Sequence, residues 1–173
     1  MPSLEIVDYD ASWPAAFEAE RERLGAALGE LAVRIEHKGS TAVPGLPAKP
    51  VIDIQISVAR LQPLAAYAEP LRREGYTHRA HPDDAFCPFF HRPASWPHSH
   101  HVHAVAAGGA EERRTLAFRD ALRADARLAL EYAALKRRLA PHYAADDPAA
   151  RDAYAEAKGE FIEGVLATVV SSS

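Results

Sequence analysis

From Val51 to Val58 apolar and polar positions alternate strictly, V-I-D-I-Q-I-S-V. A strand turns successive side chains to opposite faces, so Ile52, Ile54, Ile56 and Val58 form one fully apolar face. Val51, Asp53, Gln55 and Ser57 form the other, with polar groups in a row. The alternation recurs as H-H-V-H-A-V-A over residues 100–106, ending at Gly108-Gly109. Earlier, Trp13, Phe17, Leu24 and Leu28 recur at helical spacing and predict an amphipathic helix over 13–29, with Ser12 as N-cap and Pro14 in the first turn. Residues 32–37 predict a short strand that ends just before Gly39 and Ser40. Two prolines and a glycine restrict Val43-Pro44-Gly45-Leu46-Pro47 to a turn or a single 3₁₀ turn. A second amphipathic helix is predicted over 61–73, weakened by Pro70 and stopped by Gly75.

Short strands are predicted at 76–78 and 86–92. From Ala110 onward the pattern is helical over 110–124, 126–143 and 148–170. Pro141 and Asp146-Asp147-Pro148 mark the breaks, with Asp147 as N-cap and Pro148 at the first helical position. The terminal Ser-Ser-Ser is expected to fray. This order predicts an α+β fold: a small mixed β-sheet with helices on one face and a helical C-terminal half. Residues 1–173 are read as a single domain, because a boundary near residue 108 would leave the sheet too small to bury a core.

Composition narrows the function classes. A formal net charge of −4 argues against bulk nucleic-acid or anionic-membrane binding, and leaves room for a local basic pocket. Cys87 is the only cysteine, so no internal disulfide forms; a reducing, cytoplasmic setting is expected. The opening M-P-S-L-E-I-V-D-Y-D predicts no secretory leader, and no apolar run approaches the roughly 20 residues of a membrane span. Most of the nine histidines fall between His78 and His103.

Several residues carry candidate chemistry. Gly39-Ser40 directly follows a strand, where exposed N–H groups and a hydroxyl can cradle phosphate oxygens; a tight turn is the alternative. Asp53 lies mid-strand among isoleucines and valines, where a carboxylate needs a cation, a metal or several donors. Gln55 adds an amide one pleat along the same face. His101 and His103, at i and i+2 on a strand, present two imidazoles to one side, as a metal site requires. His98 and His100 read as solvated loop histidines. Glu36-His37, just before Gly39, can face the same cleft. Lys49, between two prolines at the mouth of the Asp53 strand, is the lysine expected to serve the site. Lys38, Arg92, Arg119, Lys136 and Lys158 read as surface residues, and Trp13, Phe17, Tyr132 and Phe161 as packing. Cys87 has no sequence spacing that pairs it with a base.

The string E-H-K-G-S-T-A-V-P-G-L-P-A-K-P-V-I-D-I from Glu36 to Ile54 resembles the signature of the GrpB-like family. The resemblance extends to H-V-H at 101–103, F-R-D at 118–120, Y-x-x-L-K at 132–136 and Y-x-x-x-K at 154–158. It implies a nucleotidyltransferase-like fold, and a link to coenzyme A chemistry, since such a domain is attached to dephospho-CoA kinase in some bacteria. It also implies that Gly39, Ser40, Thr41 and Lys49 bind a nucleotide or other phosphorylated ligand. The Asp-x-Asp or Asp-x-Glu pair of that superfamily falls on Asp53 and Gln55, the expected catalytic positions, and its third carboxylate falls near His101 or His103. Only one of three carboxylates is present. Paired Mg²⁺ needs hard anionic oxygens. One Asp with two His suits a single Zn²⁺, Mn²⁺ or Fe²⁺ better. Three readings follow: a divergent nucleotidyl- or phosphate-transferring enzyme, a catalytically silent nucleotide or coenzyme A-type binding module, and a hydrolase with one metal on Asp53, His101 and His103.

Overall fold

The computed structural model describes residues 2–171. Helix α1 (Trp13–Leu28) buries Trp13, Phe17, Leu24 and Leu28, as the spacing predicts, together with Glu20. Ser12 occupies the N-cap position without a side-chain capping bond; Asp10 Oδ1 accepts the Ser12 backbone N–H instead, at 2.8 Å. A 3₁₀ turn leads into β1 (Ala32–Lys38). Gly39 follows with φ +71°, a conformation that suits glycine, and a 3₁₀ turn over Ser40–Ala42 carries the chain towards β2 (Ile52–Val58).

Helix α2 (Ala65–Arg73) starts later than 61. Gln62 precedes a proline, which holds it out of the helical region. Strand β3 (Thr77–Arg79) follows Gly75. The strand expected from Phe86 begins only at Phe89, as β4 (Phe89–Arg92). Phe86 and Cys87 both donate their backbone N–H groups back to Asp83 O, at 2.9 and 2.7 Å, closing a turn rather than extending the sheet. Strand β5 (His100–Ala106) completes the set.

The sheet order is β1-β2-β5-β4-β3, with β2 and β5 parallel at its centre and every other pair antiparallel. Ile52, Ile54, Ile56 and Val58 pack with Val102 and Ala104 against α1 and α2 in the main core. The polar faces of β2 and β5 therefore look the other way, where α3 (Ala110–Ala124), α4 (Ala126–Leu139), α5 (Pro148–Ala157) and α6 (Gly159–Ser171) lie. The helix expected over 126–143 stops at Leu139, and a 3₁₀ turn carries Pro141. The helix expected over 148–170 breaks at Lys158-Gly159, since glycine holds a helix interior poorly. Asp147 caps α5 by accepting from Ala149 N at 2.9 Å, with Pro148 at the first position. Of the serine tail, Ser171 ends α6, and Ser172 and Ser173 lie outside the described residues. Among the described residues, no helix is long and apolar enough to cross a membrane.

A buried ion pair fastens α1 to the sheet. Glu20 accepts from Nη1 and Nη2 of Arg92, at 2.9 and 3.0 Å, and from the Tyr76 hydroxyl at 2.8 Å. Arg92 is thus an internal anchor and not the surface cation its sequence context suggested.

Candidate functional site

Parallel pairing of β2 with β5 sets Asp53 beside His101 and Gln55 beside His103. Asp53 Oδ1 stands 3.5 Å from His101 Nδ1 and 3.6 Å from His103 Nε2. Two donors bound about 2.0–2.1 Å from one tetrahedral ion stand about 3.4 Å apart, so these separations match a single small cation. One atom from each of the three side chains lies within 4.8 Å of the other two. Burial pushes the Asp53 pKa up, but the His101 and His103 imidazoles outweigh it and hold the carboxyl well below its ordinary range. Burial lowers both imidazoles in turn, His103 to about 4. At neutral pH the trio is one carboxylate and two neutral imidazoles, the protonation that metal binding demands.

Gly39 explains how the turn reaches this carboxylate. A Cβ there would stand 2.8 Å from Asp53 Oδ2, so only glycine lets the backbone lie against the acid. Ser40 follows, its Oγ accepting from Lys136 Nζ at 2.7 Å. Thr41 is buried, with its hydroxyl 2.9 Å from His37 Nε2. Gly39, Ser40, Thr41, Lys49, Asp53, His101 and His103 all line one cleft of about 420 Å³. Gln55 does not line it. The Gln55 side chain is fully buried, and its Oε1 accepts from the Thr115 hydroxyl of α3, which stands between it and the cleft.

The far wall comes from the C-terminal helices, and here sequence reasoning missed the residues. Lys136 and Lys158, read as surface lysines, line the cleft with Lys49. Lys136 is only 2% exposed and donates to Ser40 Oγ and to Pro47 O. Its ammonium lies 4.9 Å from the Tyr132 ring centre, and that of Lys158 lies 4.2 Å from the Tyr154 ring. Lys49 approaches the same Tyr154 ring at 5.3 Å. The available signal was the Tyr-to-Lys spacing of four residues, which stacks both side chains on one helix face. Burial lowers all three lysines; the charge of Arg151 adds to it at Lys49, and neighbouring lysines add to it at Lys136, which falls to about 7, and at Lys158, which falls well below its ordinary value. Among the described residues, none of the three is paired with a carboxylate. The Tyr154 hydroxyl is buried without a partner among the described residues. At the rim, Arg79 and Asp152 form an ion pair between β3 and α5.

His98 also departs from expectation. It is buried, with Nδ1 3.0 Å from His101 Nε2, and its ring stacks on His91 with centres 4.1 Å apart. Burial, then the charges of His91 and His101, lower its pKa to about 3. His100 is part-buried and faces Ser99 Oγ and Arg92. Cys87 lines the cleft with Sγ 3.9 Å from His103 Nδ1, and burial raises its pKa. Glu36 and the His37 carbonyl both accept from Arg119 Nη1 at 2.9 Å, so that arginine clamps α3 to β1.

A family model described as GrpB protein matches residues 3–168. The UPF0157 protein YqkA of Bacillus subtilis is 35% identical over 160 residues, covering 92% of this chain and 45% of YqkA. A dephospho-CoA kinase of Mycolicibacterium paratuberculosis is 33% identical over 186 residues, covering 89% of this chain and 46% of the kinase. This chain thus spans less than half the length of either relative. Among solved structures, the conserved protein GrpB from Enterococcus faecalis superposes with a TM-score of 0.82 at 29% identity, covering 97% of this chain and 98% of that one.

Proposed function

This chain belongs to the GrpB family, and from that premise we propose that its cleft binds a nucleotide or related phosphorylated small molecule beside one divalent metal ion on Asp53, His101 and His103. The observation that carries this reading is the trio Lys49, Lys136 and Lys158, which face one cleft without a carboxylate partner among the described residues. Buried cations are costly unless something anionic neutralises them. Asp53 supplies a single negative charge to three lysines, so a ligand with two or more is the natural complement. Phosphate and pyrophosphate groups meet that need, and the Ser40 hydroxyl and the Gly39 turn, beside Lys136, add neutral donors. The kinase relative makes coenzyme A precursors a specific class to test. The single reduced cysteine fits a cytoplasmic setting.

The donor set points to Zn²⁺, Mn²⁺ or Fe²⁺ in preference to Mg²⁺, because two of the three donors are imidazole nitrogens. Such an ion, when bound, would polarise a phosphoryl oxygen or a water. The chain's own residues would place the phosphate: Lys136 with Ser40, and Lys49 and Lys158 around the Tyr154 ring. This arrangement supports divergent nucleotidyl or phosphate transfer, or hydrolysis. One observation favours a silent binding module instead. Gln55, in the position of a second catalytic carboxylate, is sealed beneath Thr115 and out of reach of a ligand.

Metal analysis of the purified protein, with thermal-shift measurements on pyrophosphate, nucleoside triphosphates, coenzyme A and dephospho-coenzyme A, tests the reading. We expect a stoichiometric transition metal and a stabilising shift with pyrophosphate-bearing ligands. Absence of both would overturn it. Binding without any turnover would select the silent module.

A further inference from the structure

We propose that His98 is a positioning residue of the metal site, the hydrogen-bond acceptor that turns the Nδ1 lone pair of His101 towards the metal. The inference rests on the metal reading above and deepens it. A neutral imidazole carries one proton on one of its two nitrogens. His101 Nδ1 faces Asp53 at 3.5 Å, and its Nε2 faces His98 Nδ1 at 3.0 Å. For Nδ1 to bind a cation, the His101 proton must sit on Nε2, and His98 Nδ1 must accept it. The His98 proton then sits on its own Nε2. Without a metal the opposite arrangement is available: His98 Nδ1–H donates to His101 Nε2, and His101 Nδ1–H donates to Asp53.

The surroundings hold His98 where this exchange works. Its ring is stacked on His91, whose planes differ by 13°, and meets Trp96 edge-on at 5.1 Å between centres. His91 is fixed in turn, since its Nδ1 lies 3.0 Å from Pro93 O, a pure acceptor. The guanidinium of Arg151 covers the Trp96 ring, at 4.7 Å from a ring centre. Metal-binding histidines characteristically donate their second nitrogen to such a partner, which sets both tautomer and ring orientation. His103 offers a contrast: among the described residues its second nitrogen faces only the weak acceptor Cys87 Sγ, at 3.9 Å. The load of orienting the site therefore falls on the His98 side.

The test is Co²⁺ titration of the metal-free protein, read by its visible d–d absorption, in the wild type and in His98→Asn and His98→Leu. An asparagine carbonyl can accept from His101 Nε2 in place of the imidazole nitrogen, and leucine cannot. We expect the leucine variant to bind Co²⁺ about 10–100-fold more weakly, with an altered spectrum, and the asparagine variant to recover most of the affinity. Thermal melts of all three metal-free proteins separate misfolding from lost orientation. Equal affinity and spectrum in wild type and a folded His98→Leu would overturn the positioning role while leaving the metal reading intact. Equal losses in the asparagine and leucine variants would also overturn it. No Co²⁺ uptake by the wild type would overturn both.

Discussion

Lys136 shows how a single side chain acquires a role from its surroundings. It sits in the last turn of α4, where a lysine ordinarily complements the helix dipole in water. Here it points inward, to Ser40 and Pro47, and desolvation lowers its pKa from 10.5 to about 7. A phosphate dianion beside it would restore the proton, so ligand binding takes up a proton above about pH 7. Pyrophosphate affinity should therefore fall as pH rises above 7, by up to ~tenfold per pH unit for one linked proton. Titration calorimetry in buffers of different ionisation heat measures that uptake, and Lys136→Met should abolish most of it. Proton release on binding would contradict the assignment. The sign for the free protein is opposite in sense. Between about pH 7 and 10.5 the unfolded chain holds more protons at this group, so its contribution makes the fold more stable as pH rises.

At the level of elements, the decisive piece is the turn from β1 into the 3₁₀ segment Ser40–Ala42. It carries Gly39 over Asp53, Ser40 to Lys136 and Thr41 to His37, so three elements are registered by three successive residues. Gly39→Ala would combine a left-handed φ with a Cβ 2.8 Å from the Asp53 carboxylate. We expect a loss of about 1–3 kcal/mol in urea unfolding, with weaker Co²⁺ binding because Asp53 must swing away. Unchanged metal affinity in a folded Gly39→Ala protein would show that the turn does not position the acid. The sequence marked Gly39-Ser40 as either a cradle or a tight turn; the structure shows a tight turn that also lines the cleft, and the cradle belongs to the proposed phosphate site.

Across the whole molecule, the cleft exists because two halves of the chain close on each other. The sheet half supplies Asp53, His101, His103 and Lys49, and the helical half supplies Lys136, Tyr154 and Lys158. Helix α5 is held on by little of its own: Tyr154 is its one fully buried side chain, helped at the rim by Arg79 and Asp152. A ligand that bridges Lys158 to the sheet should slow amide hydrogen exchange in α5 more than in α1, which is anchored by Glu20 and four buried apolar side chains. Hydrogen exchange with and without pyrophosphate measures the difference, and equal protection in both helices would argue that the ligand does not reach α5.

Alternation and helical spacing were enough to determine that β2 has one apolar and one polar face, that β5 presents His101 and His103 together, and that α1 packs through Trp13, Phe17, Leu24 and Leu28. These are local properties of period and side-chain direction, and any chain with that pattern has them. Only the tertiary structure decided that β2 and β5 pair in parallel with Asp53 opposite His101. It also decided that Thr115 covers Gln55 and that His98 turns inward to His101. The lysines illustrate the reason. A lysine on a helix is solvated or buried according to what lies across from its face, and for Lys136 and Lys158 that neighbour is a strand and a turn about a hundred residues earlier in the chain.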